Sequence, residues 1–309
     1  MWRVYGQEMT GPGVECVVPS GALLGECPLW SPADNVLYWV DIDGRAIHRF
    51  DPAAGSDEMR EIGTRPGSIG LTDRSGTLLL GTEDQIAFFD WETGLVAGWI
   101  EVESPVDGVR LNDGRTDRAG RYWTGSMFDP VSAGRFDGVL YRIDPDGRSV
   151  AVKESIGVTN GIAFSPDGQT MYFADTQRDT VWSYDYDPET GERRGERVFV
   201  DFSTLPGRPD GATVDDAGCY WVACVFGWAV ARISPAGVVD RIIEVPVHKP
   251  TMAAFGGSDL GTLYITSIGG EGDPGEVEPG GLLAIDSRAT GLPETPFAGP
   301  VGPSAEEKE

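Results

Sequence analysis

One local pattern recurs six times along this chain, at intervals of 42, 44, 48, 50 and 43 residues. In each copy an anchor residue stands five positions before a Ser or Asp and eight before a turn residue, and an apolar run follows the turn. Short oxygen-bearing side chains before a turn accept hydrogen bonds from backbone amides two residues on, which stabilises the turn. The six anchors are Glu26, Ser68, Asn112, Asn160, Asp210 and Ala253.

Repeats of about 40–50 residues with up to four short strands are typical of β-propeller blades. The sequence therefore predicts an all-β, six-bladed β-propeller in one domain, residues 1–309, with the blades over about residues 14–286. The segment VECVVPS, residues 14–20, is expected to pair with the last blade and leave no free edge. The tail, about residues 300–309, is expected to be disordered. A two-domain β-sandwich also has regular short strands, but six copies of one fixed offset favour the propeller.

The formal charge of −25 argues against nucleic acid or an anionic membrane as a partner. No apolar run approaches the roughly 18 residues that span a bilayer, and the first residues do not resemble a secretory signal. The four cysteines form no CxxC pair, which indicates reduced thiols, with one disulfide left open. We expect a cytoplasmic protein, either a monomer or a small homo-oligomer, with a small-molecule partner.

The anchors are predicted to meet at one mouth of the central channel, because the first strand of every propeller blade lines that channel. Any single anchor could merely cap its own strand. However, Glu26 and Asp210 are two carboxylates beside the amides of Asn112 and Asn160, and like charges in a narrow channel are costly unless a cation neutralises them. Oxygen ligands suit Ca²⁺, Mg²⁺, Mn²⁺ and Fe²⁺, and they disfavour a structural Zn²⁺.

Several catalytic classes are excluded by what the sequence lacks. It contains no GxSxG, HExxH or GxxxxGK[ST] motif, and no GxGxxG that opens a helix. His48 is expected at the surface of an outer strand, and His248 could reach the channel mouth. The remaining route to hydrolysis is a cation assisted by a carboxylate base, for which Glu26 and Asp210 are available. Arg110 could bind substrate oxygens or form a surface salt bridge.

Four motifs, GECPLW, RLNDGRTDRAGRYWTGSM, TNGIAFSPDGQTMYFADT and RPDGATVDDAGCYW, resemble the SMP-30/gluconolactonase/regucalcin family, in order and over nearly the whole chain. That resemblance implies a six-bladed propeller that hydrolyses a sugar lactone to an aldonic acid, as bacterial sugar lactonases do. It implies Glu26, Asn160 and Asp210 as ligands of one divalent cation (Ca²⁺, Mg²⁺, Mn²⁺, Zn²⁺ or Fe²⁺). It also implies Asp210 as general base, and Arg110 and Asn112 as substrate-binding residues.

Two departures from the family pattern put the substrate in question. Cys27 follows the glutamate where the family usually has a small residue, and SAGRFDGVLY lacks a glutamate that contacts the sugar in some members. Two other functions are left open: a non-catalytic Ca²⁺-binding propeller, and an esterase for phosphotriesters. The pair of Arg110 and Asn112 favours an enzyme, because a protein that only binds ions has no need of it.

Overall fold

The computed structural model describes residues 2–4, 7–9, 13–102 and 106–300. Within these ranges, the strands β1 and β2 near the N terminus pair antiparallel, and the later strands form six antiparallel four-stranded sheets. The tail that the sequence predicts to be disordered, about residues 300–309, lies outside the described residues from 301 onward.

The first fifteen strands are, in chain order, β1 (Trp2–Val4), β2 (Gln7–Met9), β3 (Glu15–Val18), β4 (Gly25–Ser31), β5 (Val36–Asp41), β6 (Ala46–Asp51), β7 (Ser56–Glu61), β8 (Ser68–Leu71), β9 (Thr77–Gly81), β10 (Gln85–Asp90), β11 (Val96–Glu101), β12 (Val109–Thr116), β13 (Tyr122–Phe128), β14 (Gly138–Ile143) and β15 (Ser149–Ile156).

The later strands are β16 (Thr159–Phe164), β17 (Thr170–Asp175), β18 (Thr180–Asp187), β19 (Glu192–Asp201), β20 (Arg208–Val214), β21 (Tyr220–Val225), β22 (Ala229–Ile233), β23 (Val239–Glu244), β24 (Pro250–Gly256), β25 (Thr262–Ser267) and β26 (Leu282–Asp286). Among the residues that the structure describes, three single-turn 3₁₀ helices lie in loops, at Val131–Ala133, Thr176–Arg178 and Phe202–Thr204.

The six sheets are the predicted blades. The inner strands β4, β8, β12, β16, β20 and β24 contact one another in a closed ring. The N-terminal strand β3 pairs with β26 and completes the sixth blade, so the chain closes the ring as the sequence predicts. The prediction of an all-β six-bladed propeller is confirmed, and the β-sandwich alternative is wrong.

Buried aromatic side chains fix the blades against each other. Trp123 and Trp221 occupy equivalent positions in the second strands of the third and fifth blades, each after a tyrosine, and Trp39 lies in the second strand of the first blade. All three side chains are at most 1% exposed. Trp221 packs edge-on against Phe255 of the next blade, with ring centroids 5.6 Å apart. Burial of one such ring stabilises the fold by roughly 2–3 kcal/mol. The outer strand β7, SDEMRE, is mostly exposed, which places the apolar core between blades and near the axis.

The predicted turns also form. Asp117 accepts hydrogen bonds from the amides of Ala119 and Arg121, at 2.8 and 2.9 Å. In the fifth blade the hydrogen bond spans four residues instead of the expected two, since the Cys219 amide donates to Asp215 at 2.8 Å. These turns lie at the end of the inner strands opposite the anchors.

Candidate functional site at the channel mouth

The anchors lie in the first half or at the middle of the inner strands, and five of these strands, all except β8, leave regular pairing at or directly before the anchor. The register with the second strand shifts directly after Glu26 and Asn160, and across the segments that contain Asn112 and Asp210. An irregularity of this kind is a β-bulge: it changes the direction of the side chains beside a site and removes their residues from the regular backbone pairing. The sequence predicts the anchor ring, but it carries no signal for these bulges.

The bulge around Glu26 depends on an unusual backbone conformation. Cys27 has a φ of +47°, in the left-handed region that non-glycine residues rarely adopt. Its sulfur lies 3.3 Å from the amide nitrogen of Ile69 and 3.6 Å from its carbonyl oxygen, which ties the first blade to the second. Its own amide donates to Glu26 Oε2 at 2.9 Å. Cys27 therefore orients the carboxylate of Glu26.

A chain of hydrogen bonds joins the third and fourth blades at the mouth. Arg110 Nη1 donates to Asn112 Oδ1 at 2.8 Å, and Asn112 Nδ2 lies 3.2 Å from Asn160 Oδ1. Asn160 Nδ2 in turn donates to the hydroxyl of Thr176 at 2.8 Å. Because Thr176 fixes the nitrogen side of this amide, Asn160 Oδ1 faces Asn112. Thr176 has no signature in the sequence.

The two remaining anchors have other environments. Ser68 accepts a hydrogen bond of 2.8 Å from the hydroxyl of Tyr122, a residue of the next blade, which is a structural contact. Ala253 has no polar side chain and is fully buried. The polar part of the ring therefore consists of Glu26, Asn112, Asn160 and Asp210.

The carboxylates of this ring are buried and act on one another. Burial, followed by the charge of Asp113, raises the pKa of Glu26 to about 8. Burial, followed by the charges of Glu26 and Asp113, raises the pKa of Asp210 well above its usual value. A negative charge on any one of the three carboxylates therefore disfavours a negative charge on the others.

Sequence reasoning missed Asp113, which follows Asn112 directly. Its Oδ2 accepts the amide of Ile162 at 3.0 Å, whereas its Oδ1 is buried with no hydrogen-bond partner. Burial raises the pKa of Asp113 as well. The bulge turns two consecutive residues, Asn112 and Asp113, away from the ladder, and because the sequence carries no signal for the bulge, it gave none for Asp113.

Arg110 is buried, at 7% exposure, so it is not the surface arginine of the alternative interpretation. Its Nε lies 3.4 Å from Asp129 Oδ2, and the same oxygen accepts Arg65 Nη1 at 2.7 Å. Although burial opposes it, the hydrogen bond from Arg65 and the charge of Arg110 lower the pKa of Asp129. Asp129 thus holds Arg110 at the edge of the ring.

Neither histidine joins the ring of anchors. His48 is not a surface residue, as the sequence suggested; it is 8% exposed, stacks on Trp39 and binds Asp57 at 2.6 Å. His248 lies on the loop before β24, where Nδ1 binds Asp273 at 2.6 Å and Nε2 lies 3.2 Å from the Phe226 carbonyl oxygen.

Three further observations concern the described residues. All four cysteines lie among them and are unpaired, so no disulfide forms. Over the same ranges, no helix is long and apolar enough to cross a membrane. Within them, too, no three His, Cys, Asp or Glu side chains are grouped so as to hold a metal ion by themselves.

Residues 24–269 match the family described as the SMP-30/Gluconolactonase/LRE-like region. The chain is 40% identical to a 6-deoxy-6-sulfogluconolactonase of Pseudomonas putida, over 82% of this chain and 86% of that protein. It is 38% identical to a pentonolactonase of Haloferax volcanii, over 90% and 96% of the two chains. A crystal structure of a calcium-binding protein, regucalcin, from Agrobacterium tumefaciens superposes with a TM-score of 0.87 at 28% identity, over 93% and 97%.

Proposed function

Because this chain belongs to the SMP-30/gluconolactonase/LRE-like family, we propose that it is a cation-dependent lactonase that opens a sugar lactone to the aldonic acid. The observation that carries the proposal is the group of buried carboxylates at the channel mouth, beside a fixed arginine and two amides. The names of the bacterial and archaeal relatives support hydrolysis of a carboxylic ester within a sugar ring.

Glu26, Asn160 and Asp210 are the proposed ligands of one divalent cation. The residues fit such an ion, because Glu26, Asp113 and Asp210 are buried and repel one another electrostatically, and one oxygen of Asp113 has no partner. An amide oxygen and carboxylates form the all-oxygen set of ligands that Ca²⁺, Mg²⁺, Mn²⁺ or Fe²⁺ accepts. The assay described below also includes Zn²⁺ as a catalytic ion. When bound, the cation polarises the lactone carbonyl and stabilises negative charge on its oxygen.

The side chains of this protein perform the remaining steps. Asp210 takes a proton from a water molecule, whose oxygen attacks the carbonyl carbon of the lactone. The bond between that carbon and the ring oxygen then breaks, and the ring oxygen takes the proton held by Asp210 to become a hydroxyl group, which regenerates the carboxylate. The new carboxylic acid then releases its proton to solvent. Arg110 and Asn112, which Asp129 and Asn160 hold in place, bind the sugar oxygens and orient the ring.

A pH-stat assay over a panel of aldonolactones, with chelator and then with each cation, tests this proposal. We expect acid release that chelator abolishes and that one or more cations restore. Asp210→Asn and Glu26→Gln should each lower kcat/KM by at least about 100-fold while the circular dichroism spectrum is unchanged. Glu58→Gln, a change at a carboxylate of the same blade with a 61% exposed side chain, is the matched control and should retain full activity.

The same assay separates the other candidate functions. Cation binding without turnover of any lactone would identify a non-catalytic calcium-binding propeller. The similarity to a calcium-binding regucalcin supports this alternative. Faster turnover of phosphotriesters than of lactones would identify an esterase of that class. Full lactonase activity in Asp210→Asn would refute its role as the base.

A further inference from the structure

The chain does not end with its sixth blade, because residues 289–298 cross the far mouth of the channel. We call this segment the C-terminal strap. Its backbone is hydrogen-bonded to the fifth and sixth blades near its start and to the second and third near its end. These bonds are Asp216 N to Thr290 O (2.9 Å), Gly291 N to Leu260 O (2.8 Å), Phe297 N to Leu71 O (2.8 Å) and Ala298 N to Gly120 O (3.0 Å).

The strap is anchored by one aromatic side chain. Phe297 is 1% exposed and packs edge-on against Trp99, with ring centroids 5.5 Å apart. Leu292 of the strap lines a cavity of only about 10 Å³ together with Arg115. Such a volume barely holds one water molecule. The strap therefore closes this end of the channel, and the mouth with the anchors is the opposite one.

Within the strap, Glu294 forms an ion pair with Arg115 of the inner strand β12. The two side chains are 14% and 8% exposed, so the pair is largely shielded from water. Arg115 Nη2 also donates to the carbonyl oxygen of Ala212 at 2.8 Å. Ala212 belongs to the fifth blade and Arg115 to the third, so this guanidinium reaches across the channel.

Arg115 lies two residues beyond Asp113 on β12, and its hydrogen-bond acceptor Ala212 lies two residues beyond Asp210 on β20. The guanidinium therefore lies inside the channel, just below the buried carboxylates of the mouth. An unneutralised positive charge at this depth would repel a divalent cation at the mouth, since charges in a poorly solvated channel are weakly screened.

We propose that Glu294 is a positioning residue of the cation site: it neutralises Arg115 and holds it across the channel, and thereby permits tight binding of a divalent cation. This inference rests on the cation site of the proposed function. It gives the strap a role beyond closure of the ring, and it assigns a function to a buried ion pair that the reaction itself does not use.

Calorimetric titration with Ca²⁺ and with Mn²⁺ tests the inference without any substrate. Glu294→Gln keeps the shape and a neutral acceptor for Arg115, and it should raise the Kd about tenfold or more. Glu294→Asp, which keeps the charge, should bind nearly as tightly as the wild type. Phe297→Leu is the matched control: it loosens the strap without a change of charge, so it should lower Tm and leave Kd unchanged.

A double-mutant cycle completes the test. In an Arg115→Met background the change Glu294→Gln should alter Kd little, because the charge to be neutralised is gone. A Glu294→Gln variant with the Kd of the wild type, or an equal loss in Phe297→Leu, would overturn the role of Glu294 and leave the lactonase proposal intact. A wild-type protein that binds neither cation would overturn the cation site itself. If Arg115→Met does not fold, the comparison of the Gln and Asp variants at position 294 decides alone.

Discussion

Without a bound cation, the stability of this protein should fall as the pH rises, because the mouth of the channel buries carboxyl groups that hold their protons. Glu26 has a pKa of about 8 in the folded chain, against an ordinary value of 4.5. A carboxyl group that binds its proton more tightly when folded stabilises the fold below its unfolded pKa. That stabilisation is lost as the pH rises through the folded value.

The size of the effect follows from the two pKa values of Glu26. At about 1.4 kcal/mol for each tenfold change in proton affinity, the difference between 4.5 and about 8 corresponds to roughly 5 kcal/mol. Asp210 contributes in the same direction, since burial and the charge of Glu26 raise its pKa too. A loss of several kcal/mol is a large part of the stability of an ordinary domain.

Urea denaturation in the presence of chelator, followed by tryptophan fluorescence, measures the effect. Between about pH 5 and about pH 8.5 the free energy of unfolding of the wild type should decrease steadily. Glu26→Gln should flatten most of this slope, whereas the exposed-carboxylate control Glu58→Gln should not. A divalent cation should stabilise the protein more at the higher pH, because its ligands are then already deprotonated. A wild-type stability that is constant or rises over this range would refute the reasoning.

Three further predictions concern the residues around the anchors. Thr176→Val removes the bond that orients Asn160, so the Kd for Ca²⁺ should rise about tenfold by calorimetry, and an unchanged Kd would contradict this. Cys27→Val forces a β-branched residue to a φ of +47°, so it should unfold more readily than Cys27→Gly by about 1–2 kcal/mol in urea, and equal stabilities would exclude backbone strain there. Asp129→Asn weakens the hold on Arg110, so KM for the preferred lactone should rise about tenfold in steady-state kinetics, more than kcat falls; a change in kcat alone would place Arg110 elsewhere.

The propeller and the position of its anchors could be predicted because the information is local. A fixed offset between an anchor, a turn residue and an apolar strand is visible within each repeat, and six repeats imply a ring. The positions of Glu26 and Asp210 on that ring, and the closing strand near the N terminus, follow from the same periodicity. His48 was placed wrongly, because the pattern shows that it lies on an outer strand but not that Trp39 and Asp57 cover it.

The rest of the site depended on contacts between distant parts of the chain. The bulge that removes Asp113 from regular pairing lies in β12, the first strand of the third blade. This strand pairs with β13 and also lines the central axis, and both contacts exist together only in the closed ring. Arg115 meets Ala212 and Glu294, which lie 97 and 179 residues away in sequence. The repeat by itself therefore determined how many blades surround the channel and which residues face its mouth. Only the tertiary structure decided which charges meet inside it, because burial and proximity are properties of the assembled ring rather than of any single repeat.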